Sequence, residues 1–332
     1  MDFSSLFSDS LQQAFGTSAI VYCLAAIGLN IHFGYTGLLN FGQAAFMAVG
    51  GYTMAMFVTQ WDVSLWLAML AGLGLTAVLA ILLGIPTLRL RADYLAIVTI
   101  AAAEIVRQVY GSIALKKYFG AQDGLTAFSA DFRALNPFDG PVDLGIVSWG
   151  KNDAWVVLVG WFVVALCCLV VWLLMRSPWG RILKSIREDE DAVRSLGKNV
   201  YYYKMQSLML GGMIGALAGF VTALKSAAIN PSFFATDVTF FAYTVLLIGG
   251  AARVLGPVVG AIIFWFLLTF LDLFFSAATD DVGSVLIPSS IMTNQQASLV
   301  RFIVMGLALM LLMIFRPQGI FGDRRELAID GR

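Results

Sequence analysis

Residues 156–175 read VVLVGWFVVALCCLVVWLLM, and this stretch decides the fold class. Twenty residues without a charge, rising 1.5 Å each as a helix, match a hydrocarbon layer about 30 Å thick. A spanning strand would alternate apolar and polar side chains, and this run does not. At that depth no water satisfies backbone N–H and C=O groups, so the segment closes its own hydrogen bonds as a helix. Comparable blocks recur near 17–34, 43–59, 65–88, 93–112, 205–224, 238–252, 256–275 and 298–315. Only 13% of the 332 residues are charged and mean hydropathy is +0.83, where soluble domains carry about 25% charge. The reading is an all-α, polytopic membrane helical bundle of about nine transmembrane segments in one domain, 1–332. The count runs from eight to ten, because 238–252 is short and only ARVLGP parts it from the next block.

Lys and Arg set the expected orientation. With the C-terminus inside, the inside set holds Arg89, Arg91, Arg253, seven cations in 176–204 and Arg316, Arg324, Arg325 and Arg332 in the tail. Outside lie Lys116, Lys117, Arg133, Lys151 and Lys225, with Arg107 and Arg301 in or near spans. Fourteen against five predicts N-outside, C-inside. FSSLFSDSLQQAF (3–15) then reads as a short interfacial helix outside, and the lack of Lys or Arg there argues against a cleaved signal peptide.

Two hydrophilic segments interrupt the apolar blocks. The external one, 113–153, is longer than most loops, and such loops are usually functional or disordered. The cytoplasmic one, 176–204, reads as ordered. Ser177 and Pro178 suit an N-cap and first helical position, Gly197 suits a C-terminal cap, and Ile182, Ile186, Val193 and Leu196 form an apolar stripe between them. One amphipathic helix over 177–197 is expected, burying its stripe on lipid headgroups or on another protein.

GLNIHFGYTGLLNFGQAAFMAVGGYTMAM (28–56) is dense in glycine and carries Asn30, His32, Asn40 and Gln43. It reads either as tight helix packing or as a broken segment lining a solute path. LIGGAARVLGPVVGAII (247–263) is the second such stretch; Gly250 lies in it, and Pro257 is expected to remove a backbone donor in mid-segment. Gly211, Gly215 and Gly219 share one helix face and signal helix packing. Glu104 and Arg107, spaced i, i+3, read equally as a structural ion pair and as a path contact.

Several function classes find no support. Net charge is zero, which does not suggest a nucleic-acid partner. No G-x-x-x-x-G-K-[ST] is present; GLGLTA (72–77) lies inside an apolar block and is a chance match to a dinucleotide fingerprint. His32 is the sole histidine, and Cys23, Cys167 and Cys168 read as buried hydrophobes, so no metal site is expected. Only Glu104 and Asp272 loosely suit proton coupling. No catalytic constellation is visible.

Five pieces, in order, resemble the LivM-like half of the branched-chain amino acid ABC-importer permease family. They are GLNIHFGYTGLLNFGQAAF (28–46), LRLRADYLAIVTIAAAEIVRQV (88–109), RSPWGRILKSIREDEDAVRSLGKNVYYYK (176–204), GGAARVLGPVVGA (249–261) and RPQGIFG (316–322). The resemblance implies a transport subunit in a bacterial cell membrane, with no ATPase site of its own and no bound cofactor, ATP being used by partners. It implies a second related permease, two cytoplasmic ATPase subunits and an external solute-binding protein. Residues 176–204 would then be the coupling loop, with Arg181, Arg187, Glu188, Asp191, Ala192 and Gly197 as its ATPase-facing residues. Asn30, Asn40, Gln43, Glu104, Arg107, Gly250 and Pro257 are the expected path residues. Branched-chain amino acids lead as solute, with other amino acids, urea and short amides also open; a transporter working alone is the rival reading. The sequence departs from the family in lacking Ile-x-Leu-Pro after Gly197, in carrying Gln43 where His is common, and in its 251–255 turn.

Overall fold

The computed structural model describes residues 3–143, 145, 147–279, 294–316 and 318–322. Pro317, Arg324, Arg325 and Arg332 of the tail lie outside them. The chain forms helices α1 (Phe3–Ala14), α2 (Thr17–Leu29), α3 (Gln43–Trp61), α4 (Leu65–Thr87), α5 (Ala92–Tyr110), α6 (Lys116–Phe119), α7 (Ala130–Ala134) and α8 (Lys151–Arg176). They continue as α9 (Pro178–Glu188), α10 (Glu190–Ser195), α11 (Val200–Ser226), α12 (Thr236–Gly249), α13 (Gly256–Thr279) and α14 (Asn294–Phe315). Five of the described helical stretches, 17–35, 65–87, 151–176, 200–226 and 256–278, are long and apolar enough to cross a membrane. Helix α5 and the segment 113–119, bent by 55°, make a sixth if counted together. The remaining apolar blocks coincide with α3, α12 and α14, which are shorter or more polar.

Helix α11 is the axis of the bundle, with α2, α3, α4 and α8 around it. Its glycines allow this. A methyl on Gly219 would overlap the Met47 carbonyl, one on Gly215 would lie 2.5 Å from the Gln43 amide, and one on Gly211 would overlap His32. No larger side chain fits where backbones approach this closely.

Helix α1 packs along α13, with Phe7 edge-on to Phe266 at 5.6 Å. Among its described residues, the 113–153 segment is held to the bundle at separate points. Strand β1 (Leu125–Thr126) pairs antiparallel with β4 (Ala228–Ile229), β2 (Val142–Asp143) pairs with β3 (Ser148–Trp149), and Phe128 and Phe132 are buried. Tyr52 stacks on Tyr110 at 4.2 Å beneath it.

Two expectations are corrected. The helix expected over 177–197 is two helices, because Asp189 adopts an extended conformation (φ −152°, ψ 102°). Its carboxylate accepts the Asp191 and Ala192 amides at 2.9 and 3.0 Å, so it caps α10 and stops α9. The turn between them shifts the stripe: Leu183, Ile186 and Val193 are buried, whereas Leu196 is 79% exposed. Second, Pro257 does not interrupt a segment. It lies in the first turn of α13, where a helix leaves its N–H groups unpaired anyway. The interruption is the turn before it, where Gly250 takes φ +107°.

Candidate functional site

The 28–46 stretch builds a buried polar seam. Past Leu29 the helix widens to a π-helix, Asn30–Tyr35, before a non-helical run to Gln43. A wide turn frees backbone carbonyls, and hydroxyls take them up: Thr36 Oγ1 donates to the Ile31 carbonyl (2.8 Å), and Ser207 Oγ of α11 donates to the same oxygen (3.2 Å). His32 is fully buried, with Nε2 3.2 Å from the Leu208 carbonyl and Nδ1 3.0 Å from the Asn40 amide nitrogen. A carbonyl only accepts and an amide NH2 only donates, so these partners assign the proton to Nε2 and leave the ring neutral.

Asn40 serves three elements. Its side-chain oxygen accepts the Gly42 amide at 2.9 Å, and its carbonyl accepts the Tyr243 hydroxyl of α12 at 2.9 Å. Gln43 donates to the Gly211 carbonyl at 3.2 Å, while its Oε1 is buried without a partner among the described residues. Thr99 of α5 and Thr239 of α12 accept the Phe41 and Ala44 amides, both at 3.0 Å. The lone threonines, serine and tyrosine of this seam went unnoticed in the sequence; nothing in their spacing marks them.

Asn30 carries the seam to the second break. Its Oδ1 accepts the Ala252 amide and its Nδ2 donates to the Arg253 carbonyl, each at 2.8 Å. The tail closes on the same turn, where the Ile320 and Phe321 amides donate to the Ile248 and Gly249 carbonyls at 3.0 Å. A methyl on Gly250 would lie 2.6 Å from the Gly322 nitrogen. Asn30, Asn40, Gln43 and Gly250 are thus brought together, but as a packed staple between two broken segments, with their polar groups spent largely on backbone.

Glu104 and Arg107 lie elsewhere, on α5, as a two-pronged ion pair with contacts of 2.8 and 2.5 Å. Gln108 donates to the same carboxylate. A second ion pair joins Asp272 of α13 to Arg301 of α14 at 2.6 Å. The sequence offered Asp272 only as a carboxylate loosely suited to proton coupling and left Arg301 in or near a span, without pairing the two.

At the end of the bundle nearest the π-turn, α9 is fastened to it. Arg187 donates Nη1 to the Gly34 carbonyl at 2.5 Å, and its Cγ would lie 3.1 Å from a methyl on Gly37. Lys204 of α11 pairs with Glu190 of α10, which also pairs with Arg194. Arg181, Glu188, Asp191, Ala192 and Gly197 are exposed, Gly197 at φ +76°. Ser177 stands at the start of α9, but its hydroxyl turns back to the Leu174 carbonyl at 2.7 Å and caps nothing. The coupling set therefore divides: Arg187 points into the bundle and the other five face away from it.

The model of a family described as branched-chain amino acid transport system, permease component, matches residues 13–314. The high-affinity branched-chain amino acid transport system permease protein LivM of Escherichia coli K12 is 28% identical, covering 92% of this chain and 68% of its own. A probable LivM of Methanocaldococcus jannaschii is 25% identical, covering 92% of this chain and 91% of its own. The nucleoside ABC transporter permease protein NupC of Lactococcus lactis is 25% identical over 59% of this chain and 61% of its own.

Proposed function

Because the chain belongs to the branched-chain amino acid transport system permease family, we propose that it forms half of the channel of an ATP-driven importer for branched-chain or closely related amino acids. It is a multi-pass membrane protein and a transport component, not an enzyme. In the proposed assembly it pairs with a second, related permease, takes solute from an external binding protein and is driven by two cytoplasmic ATPases. Nine segments cross the bacterial inner membrane, N-terminus outside and C-terminus inside, and the chain binds no cofactor of its own.

The observation that carries the mechanism is the α9–α10 element. A channel without an energy source needs a stiff lever that presents one face to a motor and is fixed to the bundle by the other. Exposed Leu196, Glu188 and Asp191 supply the first face. Buried Leu183, Ile186 and Val193, with the Arg187–Gly34 bond, supply the second. Gly34 lies in the π-turn and Asn30 ties that turn to 252–253. A shift of α9 on ATP binding is thereby passed to both broken segments, switching access from one side to the other. Arg187 acts inside this linkage and positions the lever. Amino acids are favoured over nucleosides as solute because the branched-chain relatives match 92% of the chain and the nucleoside relative 59%.

Co-expression with the cognate ATPases and binding protein tests this. Proteoliposomes holding all subunits should take up leucine, isoleucine or valine only with ATP inside and binding protein outside. Uptake by this chain alone, driven by an ion gradient, would refute the proposal. Uptake of a nucleoside or amide in place of amino acids would refute only the choice of solute.

A further inference from the structure

A cavity of about 310 Å³ opens where the start of α2, the end of α11, the turn Pro231–Phe234 and the start of α12 meet. It lies at the opposite end of the bundle from the lever, about 30 Å along α11 from Lys204. Two opposite charges line it, Lys225 of α11 and Asp237 of α12, and among the described residues they form no ion pair with each other. Lys225 spends one of its three N–H groups on Ser18 Oγ, at 3.1 Å. Asp237 accepts the Val238 amide with Oδ1 at 3.0 Å, and its other oxygen has no partner among the described residues. Beyond the wall, the charge of Asp153 reaches Lys225, and Asp237 acts on Arg107, whose guanidinium is taken by Glu104.

Two features indicate what fills it. An ammonium and a carboxylate held apart across one cavity are both satisfied by a molecule that carries the reverse pair of charges. In a free amino acid those two charges sit on one carbon, so a single small group can face both walls. The second feature is the inner wall. Lys225 and Asp237 stand exposed at the rim, whereas Val21, Met47 and Val238 are buried behind them and Phe233 is half-buried. The volume lies at the small end of ligand sites, which run from about 300 to 1,000 Å³. A small zwitterion with an apolar side chain matches all of this. An inorganic ion uses one charge and leaves the apolar wall empty, and a nucleoside or short amide carries neither charge.

We propose that this cavity receives the solute as a free amino-acid zwitterion, its carboxylate on Lys225, its ammonium on Asp237 and its side chain toward Met47 and Val238. The inference rests on the amino-acid importer reading, in which this end of the chain faces the external binding protein. It makes the cavity a first station for solute on the permease. Lys225 and Asp237 are then the residues that tell an amino acid from an uncharged solute.

The test uses the assembled transporter without binding protein or ATP, with leucine as probe and binding read by saturation-transfer difference NMR. The wild type should prefer leucine to leucinamide, which lacks the carboxylate, and to 4-methylpentanoate, which lacks the ammonium. Lys225→Met should weaken leucine binding about 10-fold and abolish the preference over leucinamide, while keeping that over 4-methylpentanoate. Asp237→Asn, which keeps an acceptor for the Val238 amide, should do the reverse. A merely structural role for either charge would weaken all three ligands alike. Where Lys225→Met fails to assemble, Asp237→Asn decides. Unchanged leucine binding in the variants, or equal binding of the three ligands by the wild type, would overturn the proposal. Tighter binding of glycerophosphoethanolamine than of leucine would overturn it too, assigning the cavity to a lipid headgroup. Leucine uptake by the complete proteoliposomes with no leucine binding here would strike this site and leave the importer reading intact. Uptake of another solute in place of leucine would strike that reading, and this inference with it.

Discussion

Replacing Asn30 should show how much one side chain contributes to holding the two broken segments together. Asn30 is 1% exposed, and both ends of its amide are used, toward Ala252 N–H and Arg253 C=O. Asn30→Ala strands a buried N–H, a loss of about 1–3 kcal/mol, and removes a second hydrogen bond worth about 1 kcal/mol. Together these give about 2–4 kcal/mol, which lowers the melting midpoint by roughly 3–6 °C in a chain of this size. Asn30→Leu fills the same space and still strands the Ala252 amide, so it should melt as low as the alanine variant. The buried thiols of Cys23, Cys167 and Cys168 provide the assay, since a thiol-reactive fluorogenic dye reports their exposure on heating. Wild-type melting of Asn30→Leu, with Asn30→Ala destabilised, would refute the reasoning: the site would need volume and not an amide.

The other predictions concern the lever, the glycine face and the intramembrane charges. Arg187→Gln should keep ATPase association while lowering solute moved per ATP hydrolysed; Arg187→Lys should restore part of that ratio, and loss of ATPase from the purified complex would contradict the inward role. By contrast, Glu188→Arg with Leu196→Glu, on the outward face, should weaken ATPase co-purification. Gly219→Val sets a branched side chain against the Met47 carbonyl and should cost more than about 3 kcal/mol, read as lost folded yield in detergent; normal yield would place the α3–α11 contact elsewhere. Asp272→Leu leaves Arg301 unpaired and should destabilise by about 2–3 kcal/mol, while Asp272→Leu with Arg301→Leu recovers most of it. A double variant as unstable as the sum of the singles would show that the two charges do not act on each other.

What the sequence determined by itself is whatever depends on chain-local physics. An uncharged run of twenty residues must be helical at bilayer depth whatever surrounds it, so apolar blocks and helices coincide along the chain. The Gly211, Gly215 and Gly219 face was legible for a similar reason: helical spacing alone brings these residues to one side, and small residues there invite close approach. The ordered matches to the importer permeases were legible as well. Tertiary structure decided the rest. Whether Asn30 and Asn40 line a path or staple two segments depends on residues 208–253 arriving beside them, a separation that spacing cannot encode. Asp189 breaks the lever because its side chain competes with the helix for amides two and three residues on, and periodicity does not register that choice. Arg187 looks like one more surface cation until the fold places the Gly34 carbonyl within its reach. The apolar period sets where helices form; the partners of their polar side chains are set only when helices distant in sequence pack and leave backbone groups to be satisfied.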